Sequence, residues 1–134
     1  MYLVDTNIFL ELLLSLANAA SVREFLEKTN PAFISLTDFS LHSIGVLLFR
    51  EHQYDLFTRF MVDILGEGDI RIMSLSQDEV AQLSATARKI RIDFDDACQY
   101  AAACKYNITL VSFDHDFDRP DLMRVIPDEI VRSR

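Results

Sequence analysis

The 134-residue sequence predicts an α/β fold, a three-layer sandwich in which helices flank a short, mainly parallel sheet of four to five strands. Three observations carry this. Short apolar runs alternate with stretches whose apolar residues recur at helical spacing. The runs are short and mostly apolar, as strands buried on both faces should be. Gly and Pro number only 3 each, too few for a turn-rich all-β sandwich.

Tyr2-Leu3-Val4 reads as a first buried strand running into Asp5-Thr6-Asn7. Ile8, Leu12, Leu13 and Leu16 then recur at helical spacing, and Val22, Phe25 and Leu26 mark a second short helix that Asn30-Pro31 breaks. Phe33 to Asp38 is a second strand with a polar end. Leu41, Ile44, Leu47 and Leu48 give a third helix. A fourth covers Tyr54 to Gly66, with Leu56, Phe60 and Ile64 on one face and Gly66 and Gly68 as its stop. Ile70 to Leu75 is the third strand. Ser76-Gln77-Asp78-Glu79 has the form of a capping box and opens a fifth helix, with Val80, Leu83, Ala87 and Ile90 inward. A sixth begins near Asp95-Asp96, with Asp95 as the expected cap and Ala97, Tyr100, Ala101 and Cys104 as a small-residue face. Ile108 to Phe113 is the fourth strand, and a weak fifth lies near Met123 to Ile126. The whole chain, 1–134, reads as one domain.

Half the residues are apolar and a quarter charged, which excludes a disordered chain. No apolar run reaches the roughly 18 residues of a membrane span. Met1 to Val4 meets Asp5 without a basic flank, so no signal peptide and a soluble cytoplasmic protein are expected. Cys98 and Cys104 make no disulfide framework and no zinc set, and read as free buried thiols. The net charge of −8 repels nucleic acid on average. That prior bends if several carboxylates converge and divalent cations neutralise them locally.

Ligands of open parallel sheets sit at the carboxyl ends of the strands. Asp5, Asp38 and Asp114 each end a predicted strand, and Asp96 lies at a predicted helix start. Crowded carboxylates repel unless a cation neutralises them, and hard oxygen ligands at this density suit Mg²⁺ or Mn²⁺. Such ions assist phosphodiester hydrolysis. Each acid also has a plainer use: Asp5 and Asp38 as helix caps, Asp96 in a first turn, Asp114 in a turn. The D-x-D-x-D run of Asp114, Asp116 and Asp118 fails as an EF-hand loop, because Arg119 and Val125 stand where Gly and Glu belong. A phosphatase using Asp5 as nucleophile would want a second Asp where Asn7 stands.

Val4-Asp5-Thr6-Asn7-Ile8, Asp95-Asp96-Ala97 and Val111-Ser112-Phe113-Asp114 together resemble the PIN-domain family, small α/β metal-dependent nucleases that include VapC-type toxins. The resemblance covers the chain in element order and length. It implies that Asp5, Asp96 and Asp114 are metal ligands. It implies that Thr6 and Asn7 orient the first ligand or the substrate phosphate, and that Ser112 stands where the family often has Thr or Ser. The family usually has a Glu in the helix after the second strand. Here no Glu occurs from Asp38 to Arg50, and Asp38 is the carboxylate in reach, binding metal directly, through water, or not at all. The implied function is Mg²⁺- or Mn²⁺-dependent endoribonuclease, toxin of a toxin–antitoxin pair, with RNA as substrate, a small antitoxin as partner and a homodimer as assembly. The alternative is a catalytically weakened module that binds RNA or protein.

His42 beside an apolar stripe reads as a hydrogen-bonded helix histidine. Arg88, Lys89 and Arg91 form the densest basic cluster, either a guide for RNA or a solvated helix end. Phe and Leu exceed what one stripe needs between Phe39 and Phe60, which suggests a partner surface as well as core.

Overall fold

The computed structural model describes residues 1–66 and 69–133, with Leu65 by its backbone alone. The expected stop at Gly68 lies outside the described residues. The elements run β1 (Tyr2–Val4), α1 (Thr6–Leu13), α2 (Ala19–Lys28), β2 (Ile34–Thr37), α3 (Asp38–Arg50), α4 (Tyr54–Gly66), β3 (Arg71–Met73), α5 (Gln77–Ala81), α6 (Leu83–Ile90), α7 (Phe94–Tyr106), β4 (Thr109–Val111), β5 (Arg124–Val125) and α8 (Pro127–Arg132). The sheet has five strands in the order β3-β2-β1-β4-β5. Every pairing is parallel.

Side chains alternate across the sheet as its pleat requires. Val4 and Val111 point into one layer with Ile8, Phe25, Ile44 and Phe60. Leu3 and Leu110 point into the other with Ala102, Ala103 and Phe117. Each large side chain fully buried in this way contributes about 1.5–3 kcal/mol. The small residues Ala102 and Ala103 let α7 lie close on the sheet.

Several local details differ from the sequence-based expectation. The stretch after the Ser76 capping box is two helices, divided at Gln82, and Val80 is exposed. Asp93 caps α7, accepting the Asp96 N–H at 2.9 Å, so Asp95 falls inside the helix rather than before it. The early start is matched by Phe94, whose ring meets Phe39 edge to face. The inward face of α7 carries Cys98, Gln99, Ala102 and Ala103 besides Ala97, about one residue round from the expected face. Cys104 is therefore exposed and only Cys98 is buried. Thr37, not Asp38, caps α3, accepting the Ser40 N–H at 3.0 Å. His42 lies on α3, as expected, and is exposed. Arg88 and Lys89 lie in the last turn of α6, with Arg91 as its left-handed cap, which is the solvated helix end. The excess apolar positions line a groove between α3 and α4, about 660 Å³, bounded by Val46, Phe49, Phe57 and Met61.

Candidate metal centre

β1 lies between β2 and β4, so its carboxyl end is where the crossovers part to either side of the sheet. A crevice is expected there. Asp5 follows β1 directly, and its N–H donates to the Val111 carbonyl at 2.9 Å, extending the pairing of β1 with β4. Asp114 leaves β4 two residues after Ser112, and Asp96 sits in the first turn of α7. These three acids line one cavity of about 210 Å³, together with Thr6, Asn7 and Gln99.

Asp5 is 7 % exposed and richly hydrogen-bonded. Its Oδ1 accepts from the Thr6 N–H at 2.8 Å and from Gln99 Nε2 at 2.8 Å. Its Oδ2 accepts from the Ser112 hydroxyl at 2.7 Å. That same hydroxyl oxygen accepts from the Asp114 N–H at 3.0 Å and from Asn7 Nδ2 at 3.3 Å. Ser112 thus ties the first acid to the last. It is fully buried, and its hydroxyl proton goes to Asp5. Thr6 likewise turns its hydroxyl inward, donating to Ser40 Oγ at 2.9 Å. Burial raises the Asp5 carboxyl above the usual range, opposed by donors from Gln99, Ser112 and Thr6.

Ligand oxygens of Asp96, Asp114 and Asp116 lie within 4.8 Å of one another. Asp116 was missed as a site residue by sequence reasoning. It sits on a 3-10 turn, His115–Phe117, capped by Asp114 Oδ1, which accepts the Asp116 N–H at 2.9 Å. The D-x-D spacing was its signal, but the failed EF-hand comparison hid it. Arg124 braces this segment, pairing with Asp118 through Nε at 2.7 Å and donating to the Ser112 carbonyl at 2.9 Å.

Asp38 does not join the cluster. Its Oδ1 accepts the Phe39 N–H at 2.8 Å within the first turn of α3, and it faces a neighbouring cavity with Phe94 and Cys98. From α3 the acidic cavity is lined by Phe39, Ser43 and Leu47, and Ser40 accepts from Thr6 and Gln99, both neighbours of Asp5.

Desolvation, then repulsion from Asp93, Asp114, Asp5 and Asp116, pushes Asp96 up to about 7. An all-carboxylate donor set that strains its own ionisation in this way fits a hard divalent cation. The folded value lies above the unfolded one, so the stabilising contribution is present below about pH 4 and is lost as pH rises through about 7. In EDTA, the protein should melt lower at pH 8 than at pH 5. Asp96→Asn should remove part of that fall and melt roughly 2–6 °C higher at pH 8, after solvent screening is allowed for. An equally steep fall in the variant would refute this account.

Residues 2–122 match the family model described as PIN domain. The chain belongs to the PIN-domain family. PIN domains are typically metal-dependent nucleases, and this one carries the acidic cluster such chemistry uses. No curated protein matches its sequence. Among solved structures, this PIN domain is similar to VapC20 of Mycobacterium tuberculosis, described as a sarcin–ricin loop cleaving toxin (20% identity, TM-score 0.76, covering 88% of this chain and 93% of that one). It is also similar to a toxin–antitoxin complex from Klebsiella pneumoniae (23% identity, TM-score 0.70, 95% and 98%). A third is VapBC2 from Rickettsia felis, bound to a DNA fragment from its promoter (18% identity, TM-score 0.68, 93% and 97%). At these identities the likeness is one of fold. Among the described residues, no helix is long and apolar enough to cross a membrane.

Proposed function

We propose that this PIN domain is a Mg²⁺- or Mn²⁺-dependent endoribonuclease, the toxin component of a toxin–antitoxin pair. The observation that carries the reading is the meeting of Asp5, Asp96 and Asp114 in one cavity, with Asp116 beside them. These four carboxylates would hold the ion. When bound, it supplies an activated water and stabilises charge on the phosphodiester being cut.

The chain's own residues prepare the site. Asp5 is oriented by donors from Thr6, Gln99 and Ser112, which oppose the rise that burial imposes on its carboxyl. Ser112 and Asn7 hold the start of the segment that bears Asp114. Convergent acids repel an RNA backbone, so the strand approaches productively only when the acids are neutralised. The apolar groove between α3 and α4, with Val46 and Phe49 half-exposed, supports a small antitoxin as partner; a second copy of the chain belongs to the same reading.

A second reading, a PIN module that binds RNA or protein without cutting, is favoured by one observation. The α3 side chains that line the acidic cavity, Phe39, Ser43 and Leu47, carry no charge, while Asp38 faces elsewhere. Incubation of purified, partner-free protein with several RNAs decides between the two. Cleavage with Mg²⁺ or Mn²⁺ that EDTA abolishes is the expected result. Binding without cleavage under either metal would establish the second reading.

A further inference from the structure

We propose that Gln99 is a positioning residue that limits Asp5 to a single-point contact with a divalent cation and so selects small octahedral ions over Ca²⁺. The inference rests on the metal-centre reading above. An ionised carboxylate offers about four acceptor sites. Three are taken: two on Oδ1 by Thr6 N–H and Gln99 Nε2, and one on Oδ2 by Ser112. One site on Oδ2 is left.

Two of these donors follow from local structure. The Thr6 N–H belongs to the helix that Asp5 caps, and Ser112 follows from the pairing of β1 with β4. Gln99 is different. It comes from α7, and its amide is locked by a closed polar ring. Gln99 Oε1 accepts from the Thr37 hydroxyl at 2.9 Å. Its second amide hydrogen goes to Ser40 Oγ at 2.9 Å, and Ser40 Oγ lies 3.2 Å from Thr37 Oγ1. A flipped amide would set Oε1 against the Asp5 carboxylate, so the ring allows one orientation. Thr37, Ser40 and Gln99 are 3 %, 0 % and 2 % exposed.

The donor is also neutral. A Lys or Arg here would orient Asp5 but cancel the charge a cation needs. An amide orients the carboxylate and leaves its charge intact. With Oδ1 occupied, Asp5 has no pair of free oxygens to offer. Mg²⁺ keeps near-ideal octahedral geometry with few carboxylates, whereas Ca²⁺ accepts bidentate carboxylates readily. The ring therefore works against the larger ion.

The test is Mn²⁺ binding to the full chain, followed by the electron paramagnetic resonance of free Mn²⁺, with Ca²⁺ as competitor. Gln99→Met keeps the volume and removes the amide. It should fold, and its Kd ratio of Ca²⁺ to Mn²⁺ should fall about tenfold or more as one acceptor site on Oδ1, beside the one held by the Thr6 N–H, becomes free. Simple loosening of the site would weaken both ions alike and leave the ratio unchanged. Thr37→Val keeps Gln99 but unties Oε1, and should shift the ratio the same way by a smaller factor. It decides the matter if Gln99→Met does not fold. An unchanged ratio in a folded variant, with Mn²⁺ bound by the wild type, overturns the role of Gln99 alone. A wild type that binds no Mn²⁺ overturns the metal centre and this role with it.

Discussion

Asp5→Asn and Asp96→Asn should each lower metal-dependent RNA cleavage by at least about a hundred- to a thousandfold. Both changes keep side-chain shape. At position 5 the amide oxygen still accepts from Thr6 and Gln99, so the ring around it survives. At position 96 the helix start survives, because the cap is Asp93 and uses the Asp96 backbone N–H. What each loses is a charge that only a cation would reward. The stability of the second variant makes the result diagnostic. Asp96→Asn removes a carboxylate that four neighbouring acids oppose, so it should melt higher than wild type in EDTA at pH 8 while cutting less. A variant inactive through misfolding would melt lower. Cleavage within threefold of wild type in either variant would remove that acid from the site.

Phe117→Ala should cost about 3–5 kcal/mol, measured as the loss in unfolding free energy from urea titration. That is a large share of the 5–15 kcal/mol typical of a folded domain. Phe117 is fully buried and packs with Leu3, Leu110, Ala102, Ala103 and Leu122. It is the one apolar anchor of the 3-10 turn that carries Asp116 and is capped by Asp114. Truncation would leave a cavity beneath the sheet and slacken the acidic segment above it. Phe117→Leu, which fills most of the space, should cost about 1.5 kcal/mol or less. A loss under 1 kcal/mol for the alanine variant would mean that the turn is held from its polar side, through Arg124 and Asp118.

The elements were legible where the apolar pattern is strong. The central strands follow from short runs such as Leu3-Val4 and Leu110-Val111, since strands covered on both faces are largely apolar, whereas the edge strands β3 and β5 each begin with an Arg and show the pattern less clearly. The convergence of Asp5, Asp96 and Asp114 was legible too, because parallel strands share one carboxyl edge. Asp38 misled for the same reason. It does follow β2 directly, but as the first residue of α3 its side chain turns back to the Phe39 N–H, and strand-end position alone says nothing about direction. Gln99 was invisible. The reading that turned Tyr100 and Cys104 inward left it facing solvent, whereas Asp96, Gln99 and Ala103 share the inward side at spacings of three and four. Alanine and cysteine give weak directional signals, so the true face could be found only once α7 met Thr37 and Ser40.

β1 and β4 are neighbours in space but stand at opposite ends of the chain. Asp5 precedes the side chains that hold it by 94 residues for Gln99 and 107 for Ser112. A growing chain that has made only β1 to β3 has no wall on which to close the cavity. Assembly of the site is thereby tied to the docking of α7 and β4, and the acids stay apart until those late elements have formed.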